Sequence, residues 1–144
     1  MKQKTQMRGK VTIIKNGDEV KQIDNLIVNT GLASMSGLLL SDISETAYDY
    51  IAIGVGTTAA GATDTTLETE SMREAGTGTQ TTSTVTNDTA HLESTFAIGS
   101  TLAITEAGIL NAASTGTLLN RAVFAAVDVV DGDSLVIKWD IEFS

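Results

Sequence analysis

The stretch Ser134-Leu-Val-Ile-Lys-Trp-Asp-Ile-Glu-Phe-Ser144 decides the fold class of this chain. Every second residue in it is large and apolar: Leu135, Ile137, Trp139, Ile141 and Phe143. Because side chains alternate between the two faces of a β-strand, this pattern predicts a strand with one apolar and one mostly polar face. The strand carries the only tryptophan of the chain, so we expect it to be central in an all-β core.

Further short strands, each bounded by turn residues, are predicted along the sequence. They cover residues 6–15, 19–28, 50–53, 76–86, 91–98, 102–111, 118–127 and 134–144. Residues that tolerate a positive φ separate them at 16–17, 87–88, 114–116 and 131–133. We also expect bulges near Asp24-Asn25 and at Ala107-Gly108, where the alternation is interrupted. This spacing predicts an antiparallel β-sandwich or jelly-roll-like domain.

One short helix is predicted near residues 30–40. Asn29 or Thr30 can cap its start, and Ser41 and Asp42 are expected to end it. Four apolar residues stand at helical spacing and are expected to pack on a sheet: Leu32, Met35, Leu38 and Leu39. A single helical turn is also expected to begin at Thr63 or Asp64.

The net charge of −9 is distributed unevenly. The first 21 residues hold six bases and two acids, and the remaining residues hold three bases and sixteen acids. An acidic body argues against nucleic-acid binding, which needs clustered Lys and Arg. We therefore describe one domain with two parts, a basic N-terminal arm with the first hairpin strand at 1–21 and a β-sandwich at 22–144.

The basic arm has two interpretations. It either contacts an acidic protein surface, such as a neighbouring copy of the chain, or is a solvated terminus without a specific role. The candidate interface residues are Lys2, Lys4, Arg8, Lys10 and Lys15.

Composition excludes several classes of protein. The chain has no cysteine, so neither a disulfide scaffold nor a thiolate metal site is possible. Aromatic residues make up only 4% of the chain, which is few for a sugar-binding face. The N-terminus does not resemble a signal peptide, and Gly31 to Leu40 is too short to span a bilayer. We expect a soluble protein that is made in a cytoplasm and does not bind a membrane.

No catalytic constellation is predicted. His91 is the only histidine, and it alternates with Leu92, Phe96 and Ile98, so it is expected to face solvent. No serine lies in a Gly-x-Ser-x-Gly elbow. Arg73 is expected to pair with a nearby glutamate and to clip the long loop to the sheet, the candidates being Glu68, Glu70 and Glu74.

Two loops invite a ligand-binding interpretation. Gly54 to Gly61 follows a strand, but Ala59 stands where a dinucleotide fingerprint needs glycine, and a Walker lysine is lacking. We expect Gly54 and Gly56 to adopt backbone dihedral angles that other residues cannot adopt without strain. Three acids in one turn either hold calcium or simply form a turn: Asp128, Asp131 and Asp133. We expect no catalytic residue, cofactor or metal.

Several segments together resemble small virion proteins of tailed bacteriophages. They are Tyr50–Thr57, Asp64–Glu70 with Arg73, Ile104–Ala112, Leu118–Phe124 and Gly132–Trp139, within a similarity that spans about residues 26–144. Such proteins are capsid cement and decoration proteins or tail-fibre and baseplate-associated proteins. The resemblance implies a structural, non-enzymatic β domain and carries over no catalytic residue.

The expected function is that of a capsid cement or decoration protein. It would bind at junctions between major capsid subunits on the capsid exterior, or to other virion proteins, as a homo-oligomer (a dimer or trimer). A tail-fibre or baseplate-associated structural protein is the alternative. A small carbohydrate-binding or hydrolytic β domain is a remote one, because a jelly roll can host either.

Overall fold

A computed structural model describes residues 1–40 and 44–144 of the chain. In chain order the described elements are β1 (Met7–Lys15), β2 (Asp18–Asp24), β3 (Leu26–Ile27), α1 (Asn29–Leu40), β4 (Tyr50–Gly54), β5 (Glu70–Ala75), β6 (Thr77–Thr81), β7 (Thr89–Ala97), β8 (Leu102–Leu110), β9 (Leu118–Val129) and β10 (Ser134–Phe143). The predicted helix end at Ser41 and Asp42 lies outside the described residues.

The strands form two antiparallel sheets of five strands each. The first sheet has the order β2-β1-β10-β7-β6, and the second has the order β3-β9-β8-β4-β5. The predicted all-β sandwich is thereby confirmed. As expected, β10 is the central strand of its sheet, with Trp139 in register between Val11 of β1 and Leu92 of β7.

The core lies between the two sheets. Inward-facing residues of β10 are buried from Leu135 to Ile141, whereas Phe143 is 38% exposed at the end of the strand. The largest fully buried side chains include Trp139, Phe96, Ile13, Ile51, Ile53, Ile104 and Ile109. They come from both sheets, so burial of apolar surface joins the two layers.

The N-terminal hairpin folds as the sequence predicts. Asn16 and Gly17 both have positive φ, 50° and 87°, which matches a two-residue hairpin turn. The chain then leaves the first sheet at Asp24 and enters the second at Leu26. The bulge predicted near Asp24-Asn25 is not found there, because the register shift between β1 and β2 lies between Ile13 and Ile14, and Asn25 instead forms the corner between the two sheets.

The Asn25 side chain fixes that corner to the core. Its Oδ1 atom accepts a hydrogen bond of 2.6 Å from Nε1 of Trp139 and a longer one of 3.4 Å from Nδ2 of Asn120. Oδ1 of Asn120 in turn accepts a hydrogen bond from the Ile109 amide, at 3.0 Å. Because a buried indole N–H needs an acceptor, this chain of amides allows Trp139 to lie at the centre of the sandwich.

A second corner was not predicted. Residues Glu70–Ala75 form β5 at the edge of the second sheet, and the chain then enters β6 at the edge of the first. The charged sequence of β5 lacks the alternation of a half-buried strand, since it packs only as an edge. The helical turn expected at Thr63 or Asp64 is also wrong, because a tight turn is found there, closed by the Asp64 amide on the Gly61 carbonyl at 3.0 Å.

The helix is present and Met35 packs against the core as predicted, but Leu32 and Leu39 do not belong to the packing face. The buried residues of α1 are Gly31, Ser34 and Gly37, whereas Leu32 and Leu39 are 53% and 84% exposed. A Cβ atom at Gly31 would overlap the backbone of Leu119 in β9. The small residues therefore let the helix approach the sheet closely, and that approach turns the leucines outward.

The strand β8 is irregular, although not where the sequence suggests. Its register against β9 shifts between Ile104 and Glu106 and again between Ile109 and Leu110, and not at Ala107-Gly108. The first shift falls at Thr105, whose Oγ1 donates a hydrogen bond of 2.7 Å to the Gly56 carbonyl. The bulge thus connects β8 with the loop that follows β4.

Candidate functional site

A buried charge cluster lies on the second sheet beside the loop 55–69, and sequence reasoning missed it. Nε of Arg121 in β9 is 2.9 Å from Oε2 of Glu106 in β8, and Nη1 is 2.8 Å from Oδ2 of Asp64. Glu106 has no solvent exposure, and the Arg121 side chain is 3% exposed. Charges this deeply buried must be paired and hydrogen-bonded to be tolerated.

The Glu106 carboxylate is fully used inside the molecule. Its Oε1 atom accepts hydrogen bonds from the amides of Gly56 (3.0 Å) and Thr69 (2.7 Å). Its Oε2 atom accepts one from the amide of Glu68 (3.0 Å) besides that from Arg121. Both ends of the loop are thereby fastened to one carboxylate, so the cluster has the geometry of a loop clamp.

This clamp explains why the loop is rich in glycine. The prediction that Gly54 and Gly56 adopt unusual backbone angles is wrong. Positive φ is found among glycines at 17, 116 and 132 in the described residues, and so not at Gly54 or Gly56. A Cβ atom at either of those two positions would instead overlap the Glu106 carboxylate. The glycines provide space for a buried acid.

Three groups around the clamp, Asp64, Glu68 and Arg121, have pKa values shifted in favour of their charged forms. The hydrogen bond from the Gly61 amide, followed by that from Arg121, lowers the pKa of Asp64. Hydrogen bonds from the Thr58 amide and hydroxyl lower the pKa of Glu68. Burial alone would lower the pKa of Arg121, but its hydrogen bonds to Asp64 and Glu106 outweigh burial and raise it. None of these three groups is poised to exchange a proton near neutral pH.

Arg73 behaves as expected in its pairing. Its Nε and Nη2 atoms lie 2.9 Å and 2.7 Å from the two carboxylate oxygens of Glu70, a bidentate arrangement. Its Nη1 atom donates to the carbonyls of Ala112 and Thr115, at 2.8 Å and 2.9 Å. Arg73 therefore ties β5 to the turn between β8 and β9, while Arg121 and Glu106 clip the long loop.

The three-acid turn is organised by its own hydrogen bonds. Oδ2 of Asp133 accepts the Val130 amide at 2.8 Å, and Oδ1 accepts Nδ2 of Asn16 at 2.9 Å. The hydrogen bond from Asn16 is the main reason why the pKa of Asp133 is lowered. Within 1–40 and 44–144, no group of three His, Asp or Glu residues could hold a metal ion. The turn ties the connection between β9 and β10 to the turn of the β1–β2 hairpin at Asn16.

His91 lies on the outer face of the first sheet, opposite the core side chains of its strand, in the orientation expected from the sequence. Its side chain is 21% exposed, and Nδ1 is 2.7 Å from Oδ1 of Asp140 on the neighbouring strand. Nε2 is 3.7 Å from Oε2 of Glu93. In the described part of the chain no serine hydroxyl is hydrogen-bonded to His91, so its partners are two carboxylates of a polar sheet face.

The five basic candidate residues are not gathered into one patch. Lys2 and Lys4 lie in the exposed segment before β1, while Arg8 and Lys10 are exposed residues within β1. Their register partners on β10 are the acids Glu142 and Asp140, respectively. Lys15 is bound internally, because its Nζ donates to the Asp128 carbonyl at 2.8 Å and lies 3.7 Å from Asp133.

The helix α1 carries an exposed apolar surface that we call the leucine face, formed by Leu32, Leu39 and Leu40. Leu40 is 76% exposed, beside the 53% and 84% of the other two. Residues at spacings of seven and eight lie on one side of a helix, so the three side chains share a side, with Leu32 two turns away from the other two. The sequence analysis assigned Leu32 and Leu39 to the packing face and did not consider Leu40.

An apolar groove adjoins the inner side of the same helix. It has a volume of about 450 Å³ and is lined among others by Met35, Leu38, Tyr48 and Phe143. Among the described residues the Tyr48 hydroxyl has no hydrogen-bond partner, and the neighbouring Ser34 hydroxyl donates to Glu45. Burial raises the pKa of Tyr48. The surface around α1 is therefore apolar on both sides of the helix.

None of the helices in the described residues is long and apolar enough to cross a membrane. Comparisons with known protein families, with curated proteins and with solved structures return no match for this chain.

Proposed function

We propose that this chain is a structural protein of a tailed-bacteriophage particle, and specifically a cement protein that binds at junctions between major capsid subunits and stabilises the head. The proposal combines the sequence resemblance described above with one structural observation, the leucine face of α1. A helix that packs through glycine and serine, and presents leucines to solvent, has the organisation of a protein-contact surface.

The leucine face can supply a substantial part of a binding free energy. Burial of one leucine side chain is worth about 1.5–3 kcal/mol relative to exposure. Three such side chains give an anchor of moderate strength once the entropy of association is subtracted. Many copies on a symmetric shell then multiply interfaces that are individually modest.

The polar parts of the molecule support a scaffold role. The carboxylate of Glu106 is saturated by hydrogen bonds, and Asp64 and Asp133 are hydrogen-bonded by neighbouring loop amides. These interactions stiffen loops and corners. A stiff two-layered body with an apolar helix on its surface suits a protein that fills a junction between neighbours.

The decisive experiment removes the leucine face without disturbing the fold. A triple variant, Leu32→Ser, Leu39→Ser and Leu40→Ser, is added to purified heads that lack this protein, and bound protein is measured by co-sedimentation. We expect at least about a tenfold loss of binding, equivalent to about 1.4 kcal/mol. The matched control is Val85→Ser with Val130→Ser, which removes exposed apolar side chains outside the helix. Undiminished binding of the triple variant would refute the assignment of this surface.

The N-terminal segment is tested separately. Because β1 belongs to the first sheet, only the residues before it are removable without loss of a strand. Deletion of residues 2–5, which include Lys2 and Lys4, is expected to weaken head binding most at low salt, where screening is least. Equal binding of the deleted and full-length proteins at all salt concentrations would exclude a role for residues 2–5.

The number of copies of this chain in each particle distinguishes a location on the head from one on the tail. Quantitative protein analysis of purified particles should give an amount of this chain comparable with that of the major capsid protein. An amount comparable with that of tail or baseplate proteins would instead support the tail-fibre or baseplate alternative.

A further inference from the structure

The inference concerns the outer edge of β6, residues Thr77–Thr81, which we call the β6 edge. β6 is hydrogen-bonded to β7 on one side and is the last strand of the first sheet on the other. All five of its residues are exposed. Within residues 1–40 and 44–144 no side-chain hydrogen bond involves this strand, so its outward backbone groups are available to a partner strand.

The other sheet edges in the described structure carry devices that oppose strand addition. The edge strand β2 contains four charged residues, and its pairing with β1 is interrupted by a bulge. The edge strand β5 contains Glu70, Arg73 and Glu74 and also has a register shift against β4. The remaining edge strand, β3, is only two residues long. Charges, bulges and shortness are the usual protections of an edge.

The β6 edge lacks these protections. Its sequence, Thr-Gly-Thr-Gln-Thr, contains no charge and no proline, and its register against β7 is regular. A neutral strand does not repel a second copy of itself. Threonine also has a high preference for β-strands and forms favourable cross-strand pairs.

The sequence of β6 also indicates which partner fits it. Thr-Gly-Thr-Gln-Thr is nearly symmetric about Thr79. When two copies pair antiparallel around a two-fold axis at Thr79, each Thr77 lies opposite a Thr81, and Gly78 lies opposite Gln80. The same patch is then used by both partners, as in an isologous dimer.

We propose that two copies of this chain associate through their β6 edges, which pair antiparallel with Thr79 on the two-fold axis. The first sheet of one copy and the first sheet of the other then form one continuous ten-stranded sheet. The interface is small compared with a standard protein interface of about 1,600 Å². The dimer is therefore concentration-dependent in solution and gains strength where neighbouring copies are held close together. This goes beyond the proposed function, because it concerns the free protein and does not require a phage particle.

The test uses the fact that the chain has no cysteine. In the proposed register, residues at position 79 of two copies have Cβ atoms about 4.5–5.5 Å apart, which permits a disulfide after a small adjustment. Residues at position 77 of the two copies are offset by four residues along the strand, or roughly 14 Å. Thr79→Cys should therefore give a covalent dimer on mild oxidation, whereas Thr77→Cys and Thr81→Cys should not.

The control variant is Thr95→Cys, an exposed threonine on β7, the strand next to β6. Crosslinking at position 79 no faster than at position 95 overturns the proposal, as does faster crosslinking at 77 or 81 than at 79. Crosslinking also detects a dimer that is too weak to be seen by sedimentation at low protein concentration. The outcome therefore does not depend on a dimeric sedimentation profile.

A second measurement needs no cysteine. Thr79→Lys places two ammonium groups opposite each other at the axis, and like charges directly opposite are destabilising. Sedimentation equilibrium should show loss of self-association for Thr79→Lys but not for Gln22→Lys, which adds the same charge to the exposed edge strand β2. Equal self-association of both variants would contradict the proposal. Head binding by the leucine variants tests the proposed function independently of either result.

Discussion

Glu106 is a buried acid that organises its surroundings through four hydrogen bonds. Three come from backbone amides of the loop 55–69, and the fourth comes from Arg121. The loop is also held by the buried side chain of Leu67 and by the carboxylates of Asp64 and Glu68, which accept hydrogen bonds from Arg121 and from the Thr58 amide. The contribution of the Glu106 carboxylate can be measured.

The substitution Glu106→Gln is expected to lower the free energy of unfolding by about 3–5 kcal/mol, because Arg121 would remain buried with its fully buried partner neutralised. Urea denaturation provides the measurement. The control is Glu93→Gln, which changes an exposed carboxylate 3.7 Å from Lys138 and should stay within about 0.5 kcal/mol. A similar small effect at Glu106 would show that the clamp does not stabilise the fold.

The environment of Asp88 predicts that the stability of the fold decreases at acidic pH. Its carboxylate accepts hydrogen bonds from the backbone amides of Val85, Ser83 and Thr84. These hydrogen bonds hold the pKa of Asp88 far below the usual value. A lowered folded-state pKa stabilises the fold fully above the unfolded value near pH 4, and the contribution is lost as pH falls towards the folded value.

We therefore expect Asp88→Asn to be less stable than the parent protein at pH 7 and to lose less stability between about pH 4 and pH 2. Thermal unfolding followed by circular dichroism across that range is the measurement. Parallel pH profiles for the two proteins would show that Asp88 does not contribute in this way. Asp18→Asn, on the exposed end of β2, serves as the control.

The sequence contains a signal for the clamp that the strand pattern alone does not reveal. Arg121 stands in the apolar stretch 118–124, and Glu106 stands in the apolar stretch 104–110. A charge within each of two apolar strands indicates a buried pair, but their contact depends on the register between β8 and β9, which the bulge at Thr105 changes. Arg73 was easier to pair because its partner Glu70 is close in sequence.

At the scale of one element, α1 shows how helical spacing leaves the packing face undetermined. The leucines and the small residues of this helix both recur at helical intervals, so each set can form a stripe. Hydrophobicity favours burial of the leucines. The structure instead buries Gly31, Ser34 and Gly37, since only small side chains permit the close approach to Leu119.

Gly31→Ala is expected to destabilise the protein by about 1–2 kcal/mol, although alanine favours a helix over glycine by about 1 kcal/mol. The reason is that the added methyl group would meet the backbone of Leu119, which cannot move aside as a flexible side chain can. Chemical denaturation measures the change. Gly99→Ala is the matched control, because no atom lies within 4 Å of its added Cβ. A stabilised Gly31→Ala variant would contradict this packing.

At the scale of the whole molecule, four chain segments join the sheets. They connect β2 with β3 at Asn25, β5 with β6 at Gly76, β7 with β8, and β9 with β10. The core between the sheets is also shared, with Trp139 from one sheet and Ile51 and Ile109 from the other. Neither sheet can therefore lose its structure while the other keeps its buried surface.

This arrangement predicts a single cooperative unfolding transition. The buried indole of Trp139, the only tryptophan, reports on the core by fluorescence, and far-ultraviolet circular dichroism reports on the strands. The two midpoints in urea are expected to coincide. A fluorescence transition that precedes the loss of strand signal would indicate two separately stable parts, such as the arm and sandwich described from charge.

Much of this architecture was visible in the sequence, but the strand order was not. The alternation from Leu135 to Ile141 predicted a central strand, and Asn16-Gly17 predicted the first hairpin correctly. The neighbours of β10 could not be predicted, because pairing with β1 depends on contacts across most of the chain. The corner after β5 was missed because an edge strand rich in charge lacks an alternating pattern.

The pairing of β1 with β10 has a consequence for biosynthesis. Lys15 pairs with Leu135 and Met7 with Phe143, so the ladder joins the beginning of the described fold to its end. While the chain is still emerging from the ribosome, the first hairpin has no neighbour to cover Val11 and Ile13. Unpaired strands with exposed apolar side chains are prone to aggregation, and pairing between distant parts of a chain is slow. We therefore expect newly made copies to need chaperone protection until translation has passed β10.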